Sequence, residues 1–270
     1  MPLLLKPVPA ARGARWMRDA FGLYARRPFA FTMMFVAFLA AALFASLLPY
    51  IGPVLQMMLL PLLSLGFMVA SQSALLDGPV RPGQFFEPLR GDPARRRSLL
   101  VLCAIYAAAA IGILLLCDQI SDHAMLRLQD LMAKGDPPTE ELAAIAGEPG
   151  VSTAVLVGTT LGTLLSVPFW HAPALVHWGA QGVGQALFSS TLAVWRSKGA
   201  FFVYGIVWMA LMLVFSALAA QLLAIPGARQ AVPLLALAAM LLFQTVFYVS
   251  LLFTFNDSFG GTQSRLDEPI

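Results

Sequence analysis

Charge is what this chain has least of. Only 11% of its 270 residues are Asp, Glu, Lys or Arg, against 59% hydrophobic, and the mean hydropathy is +0.78. A soluble globular domain carries about 25% charged residues, so the composition excludes that class and points to a polytopic membrane protein. No Asp, Glu, Lys or Arg falls in the central part of any long apolar run. That argues against a proton pump or an ion-coupled carrier, which keep ionisable groups in the path. Cysteine is scarce too. Cys103 and Cys117 fall on one apparent helix, about 20 Å apart along its axis, too far to bridge, and a thiol in lipid is ordinarily a small hydrophobe. Catalytic patterns are missing: there is no H-E-x-x-H, no glycine-rich phosphate loop and no G-x-S-x-G. The three histidines, His123, His171 and His177, have no carboxylate within a span to orient them. The sequence therefore implies no enzyme constellation, no cofactor and no resident metal.

What is present is a set of six apolar runs, each long enough for the roughly 20 helical residues that cross a hydrocarbon core. They cover about Phe29–Pro49, Ile51–Leu76, Leu99–Leu116, Val151–His171, Phe201–Leu223 and Val232–Phe255. The expected fold is all-α: a single six-span membrane domain over 1–270 with short interfacial helices. Residues 1–28 would form a basic cytoplasmic segment, 117–150 an external insertion and 256–270 a cytoplasmic tail. No cleaved signal peptide is expected, because Lys6, Arg12 and Arg15 are not followed by an apolar core and a small-residue cleavage site.

Basic residues set the expected orientation, since Lys and Arg remain on the cytoplasmic side. With both termini inside, the outer segments hold Arg127, Lys134 and Arg229, and the inner ones hold the rest of the 17. Among these, Arg26, Arg27, Arg95, Arg96, Arg97, Arg196 and Lys198 lie beside span ends, where they would contact lipid headgroups. The pI near 9.1 is thus read as membrane contact, with no nucleic-acid partner.

Three segments that precede outward spans resemble one another: "DAFGLYARRPFAF", "QFFEPLRGDPARRRSLL" and "QALFSSTLAVWRSKGAFF". Each runs from aromatic to basic to apolar, as a helix lying at the inner interface would. Three repeated two-helix units account for this, and so does convergent boundary composition. The outer insertion reads as two short helices split by Pro137 and Pro138. Ile120, Ala124, Leu128 and Leu131 give the first an apolar face, and Thr139 is placed to N-cap the second. Asp118, Asp122 and His123 are close in sequence, but the pattern fits a solvated acidic face better than a cation site.

Two features of the fourth span carry functional expectations. Ala154, Gly158, Gly162 and Ser166 recur every four residues, which removes bulk along one stripe and lets another helix approach, within the chain or from a second copy. The span then runs into "SVPFWHAPALVHWGAQG", with Pro168 and Pro173 to kink it. His171 and His177 there are read as part of an aromatic and polar anchor at the membrane boundary, or alternatively as a ligand or proton site, since an intramembrane histidine is a functional candidate. Gln244 is the most central polar side chain and would bond another helix or line a path. Asn256 and Asp257 read as a solvated helix end.

The order of motifs resembles a family of six-span proteobacterial inner-membrane proteins with no established activity: "YARRPF", "PLLSLGFMVA", "GQFFEPLR", "PFWHAPALV" and "FNDSF", from about Trp16 to Phe259. The resemblance implies the six-span fold and a bacterial inner-membrane location, and it transfers no catalytic residue. Two functions stay open. One is a non-enzymatic membrane scaffold or interaction protein whose partners are lipids, another membrane protein or a second copy. The other is a small-molecule transporter or channel with a path near Gln244 and the kinked fourth span.

Overall fold

A computed structural model describes residues 4–133, 138–225 and 231–260. Lys134, Pro137, Arg229 and Arg265 lie outside the described residues. Within them the chain is helical, and six helices are long and apolar enough to cross a membrane. The order is α1 (Arg12–Arg26), α2 (Pro28–Ser46), α3 (Gly52–Leu75), a 3-10 turn (Pro82–Phe85), α4 (Glu87–Arg90) and α5 (Pro93–Ile120). Then come α6 (Ala124–Ala133), α7 (Thr139–Ala146), α8 (Val151–Phe169), α9 (Ala172–Gly179), α10 (Val183–Arg196), α11 (Lys198–Ala224) and α12 (Ala231–Phe259).

Local chemistry explains several boundaries. Proline opens α2, α3 and α5, where its missing N–H costs nothing. Asp92 caps α5, its carboxylate accepting from the Ala94 N–H at 3.0 Å. That places Arg95, Arg96 and Arg97 inside the helix, six residues earlier than the apolar run alone suggests. Helix α12 likewise continues through Asn256 and Asp257. Thr139 is not a cap: it is the first residue of α7, and Pro138, with φ −57° and ψ 127°, occupies the capping position without a side-chain bond. Proline's fixed φ delivers the chain into the helix there, so a hydroxyl cap is not needed.

Interfacial helices precede the first and fifth spans as α1 and α10, each followed directly by a long helix. The segment before α5 forms only the 3-10 turn and the single turn of α4. The first and last thirds of the chain therefore share an element order that the middle third lacks.

Both groups of buried apolar side chains sit toward one end of the bundle, here called the basic end, which carries α1, α4, α9 and α10. One group joins α1, the start of α2, the later half of α3 and the later half of α12 around Trp16, Phe31, Phe67 and Val249. The other joins α3, α5, α9 and α12 around Met68, Leu102, Leu175 and Leu252. At the far end the helices diverge. Helix α12 has no buried residue before Thr245 and eleven from there on. The exceptions are the turn between α2 and α3, where Ala45 and Gly52 are buried, and the foot of the insertion, where Asp118, Ser121, Ala124, Leu131, Val151 and Ala154 are buried.

Candidate functional site

The proline-rich stretch at the end of the fourth span is where the polar chemistry of this bundle gathers. Helix α8 stops at Phe169 and α9 starts at Ala172. In an unbroken helix the Val167 carbonyl would accept from the His171 N–H. Here the Ser190 hydroxyl of α10 stands between them, accepting from His171 N at 3.0 Å and donating to Val167 O at 3.0 Å. A hydroxyl inserted into the ladder both opens the helix and satisfies the two freed backbone groups. The break thus lies at Trp170–His171, and Pro173 serves as an early residue of the next helix.

The break turns Trp170 and His171 into the bundle. The Trp170 indole donates to Thr254 Oγ1 at 3.1 Å and meets Phe201, Tyr204 and Phe247 edge-on. His171 does not face lipid or headgroups: it is 0% exposed. Its ring lies 6.1, 5.8 and 5.5 Å from those of Phe201, Phe255 and Phe259, and neither ring nitrogen has a hydrogen-bond partner. The boundary anchor expected at this residue is corrected on that point. Because α9 is a separate helix, the side chain points to the core instead of following the face of α8. His177 lies further along α9 against Trp178, at 5.7 Å between rings, so the two histidines do not converge.

Beside the break, three helix faces turn toward one another without closing. Phe201, Gly205, Trp208, Met212 and Phe215 recur at helical spacing along α11. Met240, Phe243, Gln244 and Phe247 face them from α12, Thr163 and Ser166 from α8, and Trp170 from the break just beyond it. Together they bound a groove of about 790 Å³ that contains no Asp, Glu, Lys or Arg. Gln244 is exposed within it. Thr163 and Ser166 turn their hydroxyls to backbone carbonyls of their own helix, at 2.8 and 2.7 Å, so the groove wall is effectively apolar there. A smaller hollow of about 160 Å³ lies on the other side of Ser166, Trp170 and Phe247, against Tyr106 and Tyr248.

The basic end holds a second constellation that local sequence gives no sign of. Asp257 is not a solvated helix end: its carboxylate accepts from Arg12 Nε at 2.7 Å, Arg12 Nη2 at 2.9 Å and Trp16 Nε1 at 2.6 Å. The two side chains of the ion pair are only 28% and 19% exposed. The hydrogen bond to Asp257 holds the Arg12 pKa above its ordinary value. Around the pair is a polar cleft of about 510 Å³ that includes Arg18, Arg26 and Asn256. The N-terminal strap is fastened nearby, with Lys6 N donating to Ser258 O at 2.8 Å and Val8 N to Ser197 Oγ at 3.2 Å.

Of the cations placed at the headgroups, Arg27 is bonded to the chain itself, donating to the carbonyls of Gly78 and Asp77. Arg95 reaches His177 O at 3.4 Å and Asp92 at 4.0 Å. Arg26, Arg96, Arg97, Arg196 and Lys198 are exposed. The small-residue stripe of α8 divides. A Cβ on Gly158 would lie 2.9 Å from Cys117 Sγ on α5, whereas one on Gly162 would meet nothing within 4 Å. Ala154 is buried and Gly162 exposed, so the close approach belongs to the end of the stripe nearer the insertion. In the insertion, Asp118 is buried rather than solvated. It pairs with His123 Nδ1 at 2.6 Å and accepts from Leu126 N at 3.4 Å, so it organises the start of α6. No metal-ligand cluster occurs among the described residues.

A probable inner membrane protein of Burkholderia thailandensis is 32% identical to this chain over 255 residues, covering 94% of this chain and 93% of that protein. No protein-family model matches the chain, and no solved structure does.

Proposed function

Since the chain belongs to the same family as that Burkholderia inner-membrane protein, we propose that it is a non-enzymatic inner-membrane protein acting through helix packing and contact with lipid or a membrane partner. The observation that carries this reading is the character of the groove beside the helix break. The groove between α8, α11 and α12 is lined by aromatic and aliphatic side chains, with no ionisable Asp, Glu, Lys or Arg, and such a surface suits hydrocarbon. Elsewhere several polar groups of the bundle are bonded within the chain itself: Arg12 and Trp16 to Asp257, Ser190 across the helix break. In this reading both termini and the basic end face the cytoplasm, as the distribution of Lys and Arg supports. Reporter fusions after Arg90 and Lys198 then read cytoplasmic, and an external reading at Arg90 overturns the orientation.

One observation favours a carrier as the second reading. Gln244 faces the groove about 20 Å along α12 from Asp257, taking thirteen residues at about 1.5 Å each, which is near the middle of a hydrocarbon core about 30 Å thick. A broken helix lies beside it. Complementation of a deletion strain separates the two. A Gln244→Leu variant at wild-type abundance is expected to restore the strain fully. A folded, abundant variant that fails to do so makes Gln244 part of a solute path and transfers the proposal to the carrier.

A further inference from the structure

The groove's dimensions and the charge at its mouth identify an occupant. From Phe201 to Phe215 it follows α11 for fourteen residues, about 21 Å at roughly 1.5 Å per residue. Helix α11 of a second copy, which contains no Asp or Glu, would leave the cations at the mouth unanswered. A flexible hydrocarbon chain fits. One leaflet's hydrocarbon is about 15 Å deep, half of a core of about 30 Å, so the groove accommodates a whole tail.

The mouth supplies the rest. Val194 at the end of α10 and Phe201 at the start of α11 both line the groove, and the turn between them carries Arg196 and Lys198. Both cations are exposed, and neither has a carboxylate ion pair among the described residues. The Lys198 ammonium lies 5.3 Å over the ring of Trp195, which is itself 70% exposed. An exposed tryptophan beside two unpaired cations matches the composition of a headgroup-level belt. We propose that the α8–α11–α12 groove holds one anionic phospholipid of the leaflet at the basic end, its tail along Gly205 and Trp208 and its phosphate at Arg196 and Lys198. This deepens the contact function proposed above and rests on it.

Binding is read directly by native mass spectrometry of the full chain in detergent, titrated separately with dioleoylphosphatidylglycerol and dioleoylphosphatidylcholine, with melting temperature as a parallel readout. The wild type is expected to retain one phosphatidylglycerol at least about tenfold more tightly than phosphatidylcholine, and to melt higher with the former. Arg196→Gln with Lys198→Gln removes the preference for the anionic lipid but leaves a tail bound. Gly205→Trp, where a new side chain meets nothing within 4 Å, removes both lipids. Thr163→Phe fills the opposite wall and serves if the first variant does not fold. Retention of lipid by folded groove-filled variants overturns the proposal, as does equal affinity of the wild type for the two lipids. A detergent-stable dimer that Gly205→Trp dissociates also overturns it, since the groove's occupant is then a second copy. The two tests read different things: a wild type that binds no phosphatidylglycerol sinks this inference and leaves the contact reading standing, whereas failed complementation by Gln244→Leu is the failure of the contact reading itself.

Discussion

Helices α3 and α11 differ little in composition and greatly in company. Their most apolar windows have mean hydropathies of 1.9 and 2.3, yet 44% of the first is buried inside the protein and 6% of the second. In water the more apolar helix would be the more buried. In lipid, apolarity gives a helix no reason to leave the tails, and close shape and polar links decide instead. Helix α3 presents Gly66, Ala70, Ser71 and Ala74 to its neighbours, and all four are buried. Helix α11 presents Phe202, Met209 and Leu213, exposed by 59% or more. It touches the body of the bundle mainly through Ala200 and Tyr204, where α1 crosses it. The packed basic end and the open far end are therefore two regimes of one apolar chain.

The sharpest way to break the comparison is at that crossing. A Cβ on Gly13 would strike the Ala200 carbonyl oxygen and come within 2.8 Å of the Tyr204 backbone nitrogen. Helix backbone cannot swing aside as a side chain can, so Gly13→Val belongs at the upper end of the overpacking range, about 3 kcal/mol. Thermal unfolding in detergent should show a large loss of stability. Gly205→Leu, next to Tyr204 in sequence but with its Cβ facing open space, should lie within about 0.5 kcal/mol of the wild type. Equal losses at the two glycines would mean that α11 is packed along its length.

Next in size is the link between the two chain ends. Asp257→Ala leaves the Arg12 guanidinium and the Trp16 indole without their shared acceptor in a partly buried place. Hydrogen bonds to a charged group are worth about 1.5–3 kcal/mol each where buried. Partial exposure discounts this, so a total loss of about 2 kcal/mol is expected. The exposed Arg127–Glu148 pair of the insertion is the control, and Arg127→Gln should cost less. If it costs as much, the basic end owes nothing special to Asp257.

The spans were legible because lipid forces the signal into one dimension: a chain that crosses hydrocarbon must be helical and apolar for about 20 residues in a row. What the sequence hid was every contact made at long range. Asp257 follows an apolar run and reads as a helix end meeting water, since its partners Arg12 and Trp16 lie more than 240 residues away. The prolines around His171 announce a kink, but the side chain that completes it, Ser190, comes from another helix. The stripe from Ala154 to Ser166 shows that a neighbour can approach, and not how far along the helix that neighbour runs. The groove is legible only afterwards, as three helical faces whose residues are individually ordinary.

That stripe sharpens the comparison at a smaller scale. Gly158→Leu places its side chain on Cys117 of α5, whose sulfur would lie 2.9 Å from the new Cβ, so the sulfur or the helices must shift. A loss of about 1–2 kcal/mol is expected. Gly162→Leu adds its side chain to open space and should cost less than about 0.5 kcal/mol. Melting temperatures of the two variants, measured side by side, decide whether α5 and α8 stay in contact beyond Gly158. Similar losses would mean that they do.

No loss of stability is expected at the residue that looks most functional. His171 is fully enclosed by Phe201, Phe255 and Phe259, and both ring nitrogens lack partners. A buried polar group without a partner carries its desolvation cost in the folded protein, and an apolar group of similar shape relieves it. His171→Phe should therefore leave stability unchanged or raise it by up to about 1 kcal/mol, provided the slightly larger ring is accommodated among its three aromatic neighbours. Activity in a deletion strain should be retained along with the fold. The packed end would then be shown to depend on shape, on Asp257 and on Ser190, and not on its buried imidazole. A variant that folds with undiminished stability and yet fails to complement would reverse that conclusion, because the only property removed is the pair of ring nitrogens, and it would make His171 a ligand or proton site after all.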